Sequence, residues 1–182
     1  MVTCRPMIRI QHVFFTLLAC FLLGCSAEQT EEENILSSDL NKSIAEKILT
    51  KTNAIRKSEG LDNLIQDEEM DALATYHSEN MVVYDFFSHK DHQGKSPSER
   101  ADDREFSWSS IAENIAYVPW ASNVSSCGDT RTAEAIATCV VEGWKNSPGH
   151  FANMIGDYKE LGVGVAFTQD SIAYFTQVLR NR

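Results

Sequence analysis

The stretch Trp144–Asn153, W-K-N-S-P-G-H-F-A-N, marks a junction between two predicted helices. One amphipathic helix is expected to end near Trp144. Ser147 and Pro148 begin the next, because serine is a favoured N-cap and proline fits the first helical turn, where its missing N–H costs nothing. His150 falls in that first turn. This position favours a histidine that faces a cleft, and the alternative is a histidine satisfied by one neighbouring carbonyl.

The composition is that of an ordinary globular protein. The 182 residues are 43% hydrophobic and 23% charged, enough for one domain with a sizeable core. The net charge is −10. Because phosphate binding needs a basic face, we expect no nucleic-acid partner.

The N-terminus resembles the targeting segment of a bacterial lipoprotein. Arg5 and Arg9 precede the apolar run Val13–Leu23, which is too short to span a bilayer. The run leads into L-L-G-C, a lipobox-like sequence whose last residue is Cys25. The resemblance implies a signal peptide at residues 1–24, cleavage before Cys25 and lipidation of that cysteine. Cleavage by an ordinary signal peptidase and a simple apolar anchor are the alternatives.

Residues 25–38 are predicted to be the lipidated cysteine and an acidic tether. Ser26–Asn34 lacks apolar periodicity and contains three consecutive glutamates. The folded domain is expected to cover residues 39–182. These features predict an exported protein held in the bacterial cell envelope by its lipid chains, or secreted if the lipobox is not used.

Apolar spacing predicts helices and a short antiparallel sheet, an α+β domain. Asp67 and Thr132 are placed to cap two of the helices. His77 falls on an apolar helix face, which favours a core histidine over a ligand. The strands are predicted at Ile115–Val118 and in a hairpin formed by residues 161–167 and 172–179.

The cysteine pattern predicts one disulfide. Once the signal is removed and Cys25 is lipidated, Cys127 and Cys139 remain as an even pair in an oxidising compartment. A bridge between them would pin a loop onto the third main helix. The alternative is two buried free thiols.

Five motifs in order resemble the CAP superfamily, which comprises cysteine-rich secretory proteins, antigen 5 and pathogenesis-related proteins and is known in bacteria as SCP-like domains. The resemblance covers about Ile44 to Leu179 and implies a three-layer α-β-α sandwich with a secreted or surface location. The motifs are Asn53-x-x-Arg56 with Gly60-Leu61 and Leu64, Phe87-Ser88-His89, Ala112-Glu113-Asn114-Ile115-Ala116, Trp144–Asn153 and Leu161-Gly162-Val163-Gly164-Val165.

The resemblance implies a cleft lined by His89, Glu113, Ser147 and His150. Family members with the full pattern have two histidines and two glutamates there, and this chain has Ser147 where the second glutamate stands. Two imidazoles and one carboxylate could bind zinc or form a metal-free hydrogen-bond network. Because one carboxylate is missing, we expect no required cofactor. His92 is a candidate substitute ligand, although an exposed loop histidine is the favoured interpretation.

The pairing of Glu113 with an imidazole is expected to raise that histidine's pKa above about 6.5, against the effect of burial. The resulting stability would be present below that pH and lost as the pH rises. Replacing Glu113 by Gln is expected to flatten this profile without unfolding the domain.

The sequence favours a non-catalytic role. Ser147 could be a nucleophile beside His150, but as an N-cap its hydroxyl would accept a bond from a backbone N–H. The chain has no G-x-S-x-G, H-E-x-x-H or phosphate-loop motif. Three hypotheses remain: a binding module for a small apolar or lipid ligand, a peptidase-like hydrolase using His89, Glu113 and His150, and an adhesion domain presenting the loop Pro119–Asp129 to a protein partner.

Replacing Cys25 by Ala is expected to release the protein from membranes, because the lipid anchor would be lost. Fractionation of cells that express each form checks this by immunoblot. A Cys25→Ala protein that stays in the membrane fraction would show that the lipobox interpretation is wrong.

Overall fold

The computed structural model describes the backbone of residues 17–182 and the side chains of residues 37–182. The predictions for residues 1–16 and for the side chain of Cys25 therefore lie outside the described part. The chain divides into two compact units, with the boundary between residues 38 and 39. Helix α1 runs from Leu17 to Ser58, so the predicted tether Ser26–Asn34 is helical. Within the described residues, no helix is long and apolar enough to cross a membrane.

The second unit, residues 39–182, contains the sheet and the remaining helices. Asp67 and Thr132 cap α2 and α4 through their side chains, as predicted. The elements that follow α1 are β1 Ile65–Gln66, α2 Glu68–Val83, α3 Pro97–Asp102, β2 Ser110–Pro119, α4 Ala133–Lys145, α5 Pro148–Met154, β3 Glu160–Phe167 and β4 Ile172–Asn181.

The four strands form one sheet in the order β1-β3-β4-β2. The predicted hairpin is confirmed, because β3 pairs antiparallel with β4, and β2 pairs antiparallel with β4. The predicted short strand Ile115–Val118 extends over the ten residues of β2. The sheet differs from the prediction at β1, which pairs parallel with β3 and makes the sheet mixed.

A hydrophobic core lies on each face of the sheet, which confirms the α-β-α sandwich. Phe175 and Leu179 of β4 belong to the core shared with α1, α4 and α5. Val178, on the opposite face of the same strand, packs with Met70 and Leu73 of α2. This alternation follows from the two-residue period of a strand.

Helix α2 packs directly on the backbone of β3. A Cβ atom at Gly162 would lie 2.0 Å from the carbonyl carbon of Met70, and one at Gly164 would lie 2.2 Å from that of Ala74. Ser78 donates a hydrogen bond to the Gly164 carbonyl at 3.1 Å. The close approach explains why two glycines alternate in this buried strand.

Side chains donate hydrogen bonds to the free edge of β2, which is the edge strand next to β4 in the sheet. The Trp144 indole N–H donates to the Ile115 carbonyl at 3.1 Å, and the Asn153 amide donates to the Glu113 carbonyl at 3.2 Å. Near the strand's end, the Thr130 hydroxyl donates to the Pro119 carbonyl at 2.6 Å. Residues of the junction Trp144–Asn153 thus occupy hydrogen-bonding positions that an exposed edge would offer to another chain.

The motif Asn53-x-x-Arg56 fastens α1 to the loops around it. Asn53 accepts from the Leu64 N–H at 2.8 Å and donates back to the Leu64 carbonyl at 3.0 Å. The buried Arg56 guanidinium donates to the carbonyls of Met154 and Gly156 at 2.9 and 2.8 Å. Arg56 therefore satisfies backbone carbonyls around the C-terminal end of α5.

The predicted disulfide is confirmed. Cys127 and Cys139 are bonded, with their Cα atoms 5.4 Å apart. Cys127 lies in a small turn closed by the Val124–Gly128 bridge, and Cys139 lies within α4. The bond fixes the loop before α4 onto that helix.

Replacing Gly164 by Ala is expected to lower the free energy of unfolding by about 3 kcal/mol, because the new methyl group overlaps the α2 backbone. Gly143→Ala is the matched control. A Cβ at Gly143 meets nothing within 4 Å, and alanine in a helix gains roughly 0.5–1 kcal/mol over glycine. Urea unfolding measures the free energy of unfolding of both variants. Equal changes in Gly164→Ala and Gly143→Ala would contradict the close packing of α2 on β3.

Candidate functional site

Glu113 lies at the centre of the predicted cleft, on β2, and is 6% exposed. Its Oε1 atom accepts a hydrogen bond from His89 Nδ1 at 2.9 Å. Its Oε2 atom accepts one from Arg100 Nη2. Both carboxylate oxygens are therefore engaged by other side chains of the protein.

Arg100 is the site residue that sequence analysis missed. It lies on α3, is 1% exposed and forms a buried ion pair with Glu113. Its Nη1 group donates to the carbonyls of His89 and Lys95 at 2.8 and 2.9 Å. Ser96 and Glu99 form a capping box at the start of α3, a local signal that indicates a short helix here but does not show what Arg100 contacts.

His89 lies in the loop between α2 and α3, and its side chain is 51% exposed. The loop is also fastened to α2. His77 Nε2 lies 2.9 Å from the Ser88 carbonyl and therefore donates to it, and the His92 N–H donates to Asn80 at 3.1 Å. His77 is buried, as predicted, but its Nε2 also lies 3.8 Å from Glu113 Oε1, a contact that the sequence did not indicate.

His150 and Ser147 both lie at the start of α5. Within the described residues, the His150 ring has no hydrogen bond to Glu113, whereas its backbone carbonyl accepts from Asn114 at 3.1 Å. Ser147 is the N-cap of α5 by its position, but its hydroxyl makes no cap bond. The structure thus joins His89 to Glu113 directly and leaves His150 outside that hydrogen-bonded pair.

Burial, rather than charge pairing, sets the direction of two histidine pKa values. Burial lowers the pKa of His77 despite the opposing charge of Glu113. Burial also lowers the pKa of His150, and the charge of His89 adds to the effect. At His77, a residue outside the predicted cleft, the cost of desolvating the ring thus exceeds the effect of the Glu113 charge on its pKa.

Glu113 is the carboxylate that the alternative zinc site would use. Arg100 and His89 each donate one hydrogen bond to it, and the Arg100 guanidinium already pairs with its charge. In the described part of the chain, no three histidine, cysteine or acidic side chains converge as a metal site. The ring of His92, the candidate substitute ligand, is exposed and stacks on Tyr84 at 3.9 Å, and its Nδ1 lies 3.0 Å from Asn80 Oδ1.

The expectation that Glu113→Gln would leave the domain intact is revised for the same reason. Removal of the carboxylate charge would leave the Arg100 guanidinium buried without its ionic partner. Breaking such a pair from one side is strongly destabilising.

Comparison with known sequences identifies one family and two bacterial relatives. The model of the cysteine-rich secretory protein family, CAP, matches residues 49–179. The uncharacterized membrane protein YlbC of Bacillus subtilis is 34% identical over 119 residues, which cover 65% of this chain and 30% of that protein. The uncharacterized protein YkwD of the same organism is 28% identical over 140 residues, or 76% of this chain and 48% of YkwD. The chain therefore spans less than half the length of either relative.

Two solved structures share the fold. An extracellular protein of Bacillus anthracis with an SCP domain superimposes with a TM-score of 0.61 at 24% identity, covering 78% of this chain and 41% of that one. An outer surface protein of Borrelia burgdorferi superimposes with a TM-score of 0.61 at 20% identity, covering 74% of this chain and 89% of that one. The family model spans most of the described domain and the sandwich matches these structures, so the chain belongs to the cysteine-rich secretory protein (CAP) family.

Proposed function

We propose that this CAP domain is exported to the bacterial cell envelope and binds a small apolar or lipid ligand without catalysing a reaction. Its relatives include proteins described as membrane, extracellular and outer surface proteins. The lipobox-like sequence before Cys25 and the disulfide of Cys127 and Cys139 support the same location.

The observation that carries the non-catalytic proposal concerns Ser147, the candidate nucleophile. A serine nucleophile needs a base within hydrogen-bonding reach of its hydroxyl. In the described part of the chain, the Ser147 hydroxyl makes no hydrogen bond to His150, and the carboxylate of Glu113 pairs with Arg100 and His89 instead. The hydrolase hypothesis therefore lacks an activated nucleophile at Ser147.

The same pair supports a cleft that needs no metal. The guanidinium of Arg100 supplies the positive charge that a divalent ion would otherwise bring to the Glu113 carboxylate. Glu113 then orients the His89 ring through its Nδ1–H group. We infer that the cleft positions His89 as part of a binding surface rather than as a metal ligand.

Two grooves run along α4, one mostly apolar and one of mixed polarity that is also lined by Lys51 and Lys145. One, of about 420 Å³, is mostly apolar and runs beside the disulfide of Cys127 and Cys139. The other, of about 270 Å³, lies between α1 and α4 and includes Ile55 and Val141. Both are lined by Thr138 and Glu142, so they adjoin each other across the helix. Their volumes are near the lower range of small-molecule sites.

The loop Pro119–Asp129 supports a protein partner as a second candidate function. The disulfide and the Val124–Gly128 bridge fix its shape, and Thr130 binds the carbonyls of Pro119 and Ala121. A loop with a fixed shape loses little conformational freedom on binding a partner.

Thr138→Trp is expected to weaken binding of the uncharged fluorescent probe N-phenyl-1-naphthylamine roughly tenfold, because the indole would fill the space that both grooves share. Thr50→Trp is the matched control. Both threonines are exposed on helices and donate to the carbonyl four residues earlier at 2.8 Å, but Thr50 lines neither groove. Fluorescence titration measures the affinity of each variant for the probe. Mass spectrometry of the same samples identifies molecules that co-purify with the protein.

Equal probe affinity in the Thr138→Trp and wild-type proteins would contradict a ligand site along α4. An equal loss of affinity in Thr50→Trp would contradict it too, since the effect would then not depend on the grooves.

The protein is expected to lose stability as the pH falls from about 7 to about 5, with or without EDTA. The folded pKa values of His77 and His150 lie below the ordinary value of about 6.5, so the unfolded chain takes up protons that the folded chain does not. The resulting stability is present above that pH and lost as the pH falls towards the folded values. Melting temperatures recorded between about pH 7 and pH 5 measure this loss of stability.

The chelator distinguishes this effect from metal loss, because protons also compete with a metal for imidazole. A melting temperature that EDTA lowers at pH 7 would contradict the metal-free cleft. Stability that increases on acidification would contradict the lowered histidine pKa values.

A further inference from the structure

We propose that Phe87, Tyr117 and Tyr174, here called the aromatic platform, form a carbohydrate-binding surface for neutral or amino-sugar chains. The proposal concerns a different part of the molecule from the grooves along α4. Its ligand would stack its sugar rings on the platform and bond to the tyrosine hydroxyls.

The two tyrosines are cross-strand partners whose rings are tilted against each other, and Phe87 stands edge-on beside them. Tyr117 of β2 is paired with Tyr174 of β4, and their rings lie 5.8 Å apart at an interplanar angle of 31°. Phe87 meets the Tyr117 ring edge-on at 5.0 Å and 85° and lies 6.3 Å from the Tyr174 ring. Two strands and mutual aromatic contacts therefore hold the rings in place without a bound ligand.

Two of the three rings are exposed beyond the end of the helix on this face of the sheet. Helix α2 ends at Val83, while Phe87 is 46% and Tyr117 is 55% exposed. Tyr174 is half-buried beside them. A ligand could therefore cover Tyr117 and Phe87 fully and Tyr174 in part.

The hydroxyl groups distinguish among possible occupants. Neither the Tyr117 nor the Tyr174 hydroxyl has a hydrogen-bond partner among the described residues. A purely apolar ligand would bury these hydroxyls unpaired, which costs free energy. A sugar chain supplies hydroxyls that can pair with them, while its C–H faces cover the rings.

The charge of the chain narrows the class of sugar. A net charge of −10 repels acidic polysaccharides and anionic lipid surfaces over the distances at which partners first meet. It does not oppose neutral hexoses or N-acetylated hexosamines, and it attracts unacetylated amino sugars, whose ammonium groups also interact favourably with aromatic faces. Charge complementarity therefore favours hexosamine chains.

The test is calorimetric titration of the full-length protein, in detergent, with the β-1,4-linked tetramers of N-acetylglucosamine and of glucosamine. We expect binding of at least one tetramer, with Tyr117→Ala weakening it roughly tenfold and Tyr117→Phe, which keeps the ring, weakening it less. Tyr84→Ala is the matched control, because Tyr84 is equally exposed but stacks on His92 outside the platform. It should bind as the wild type does.

Several results would overturn the proposal. These are the absence of binding to either tetramer, an equal loss in Tyr84→Ala, or an unchanged affinity in Tyr117→Ala with its melting temperature preserved. Binding to phosphatidylcholine vesicles that depends on Tyr117, without sugar binding, would assign the platform to a lipid surface instead. None of these outcomes depends on whether the fluorescent probe binds along α4. The ligand site along α4 and the carbohydrate surface can therefore be tested and rejected independently.

Discussion

The buried ion pair of Glu113 and Arg100 is the constraint on which the arrangement of the site depends. Both residues lie in the interior, where a charge without a partner is strongly destabilising. Because Arg100 also donates to the carbonyls of His89 and Lys95, the pair fixes the loop that presents His89. The Glu113 carbonyl meanwhile accepts from Asn153, which links the same residue to α5. One residue thus connects β2, α3, the His89 loop and the junction Trp144–Asn153.

This constraint also separates the cleft from the surfaces proposed to bind ligands. With its charge neutralised and its oxygens engaged, Glu113 acts as a structural and orienting group. The other surfaces proposed to bind ligands lie outside this cleft. Two grooves flank α4 on one side of the sheet, and the aromatic platform lies on the face that α2 covers only in part. The proposals therefore concern the His89 surface of the cleft and two further faces of the sandwich.

Sequence analysis predicted features that depend on local signals and missed those that depend on distant contacts. The caps at Asp67 and Thr132, the β3–β4 hairpin and the disulfide follow from nearby residues or a simple cysteine count. The parallel pairing of β1 was missed because two residues carry no periodicity. Arg100 was missed because an arginine on a short helix looks like an exposed charge until the fold brings Glu113 to it. The core position of His77 was predicted from its apolar helix face, but its approach to Glu113 was not, because only the folded chain brings the two together.

A double-mutant cycle on Arg100 and Glu113 tests the central claim most directly. The free energy of unfolding would be measured for wild type, Arg100→Met, Glu113→Gln and the double variant. Each single change is predicted to destabilise the fold by about 3–5 kcal/mol, because it leaves one buried charge or carboxylate without its partner. The double variant should lose much less than the sum of the two. Additive losses would contradict the account, since they would show that Arg100 and Glu113 stabilise the domain independently.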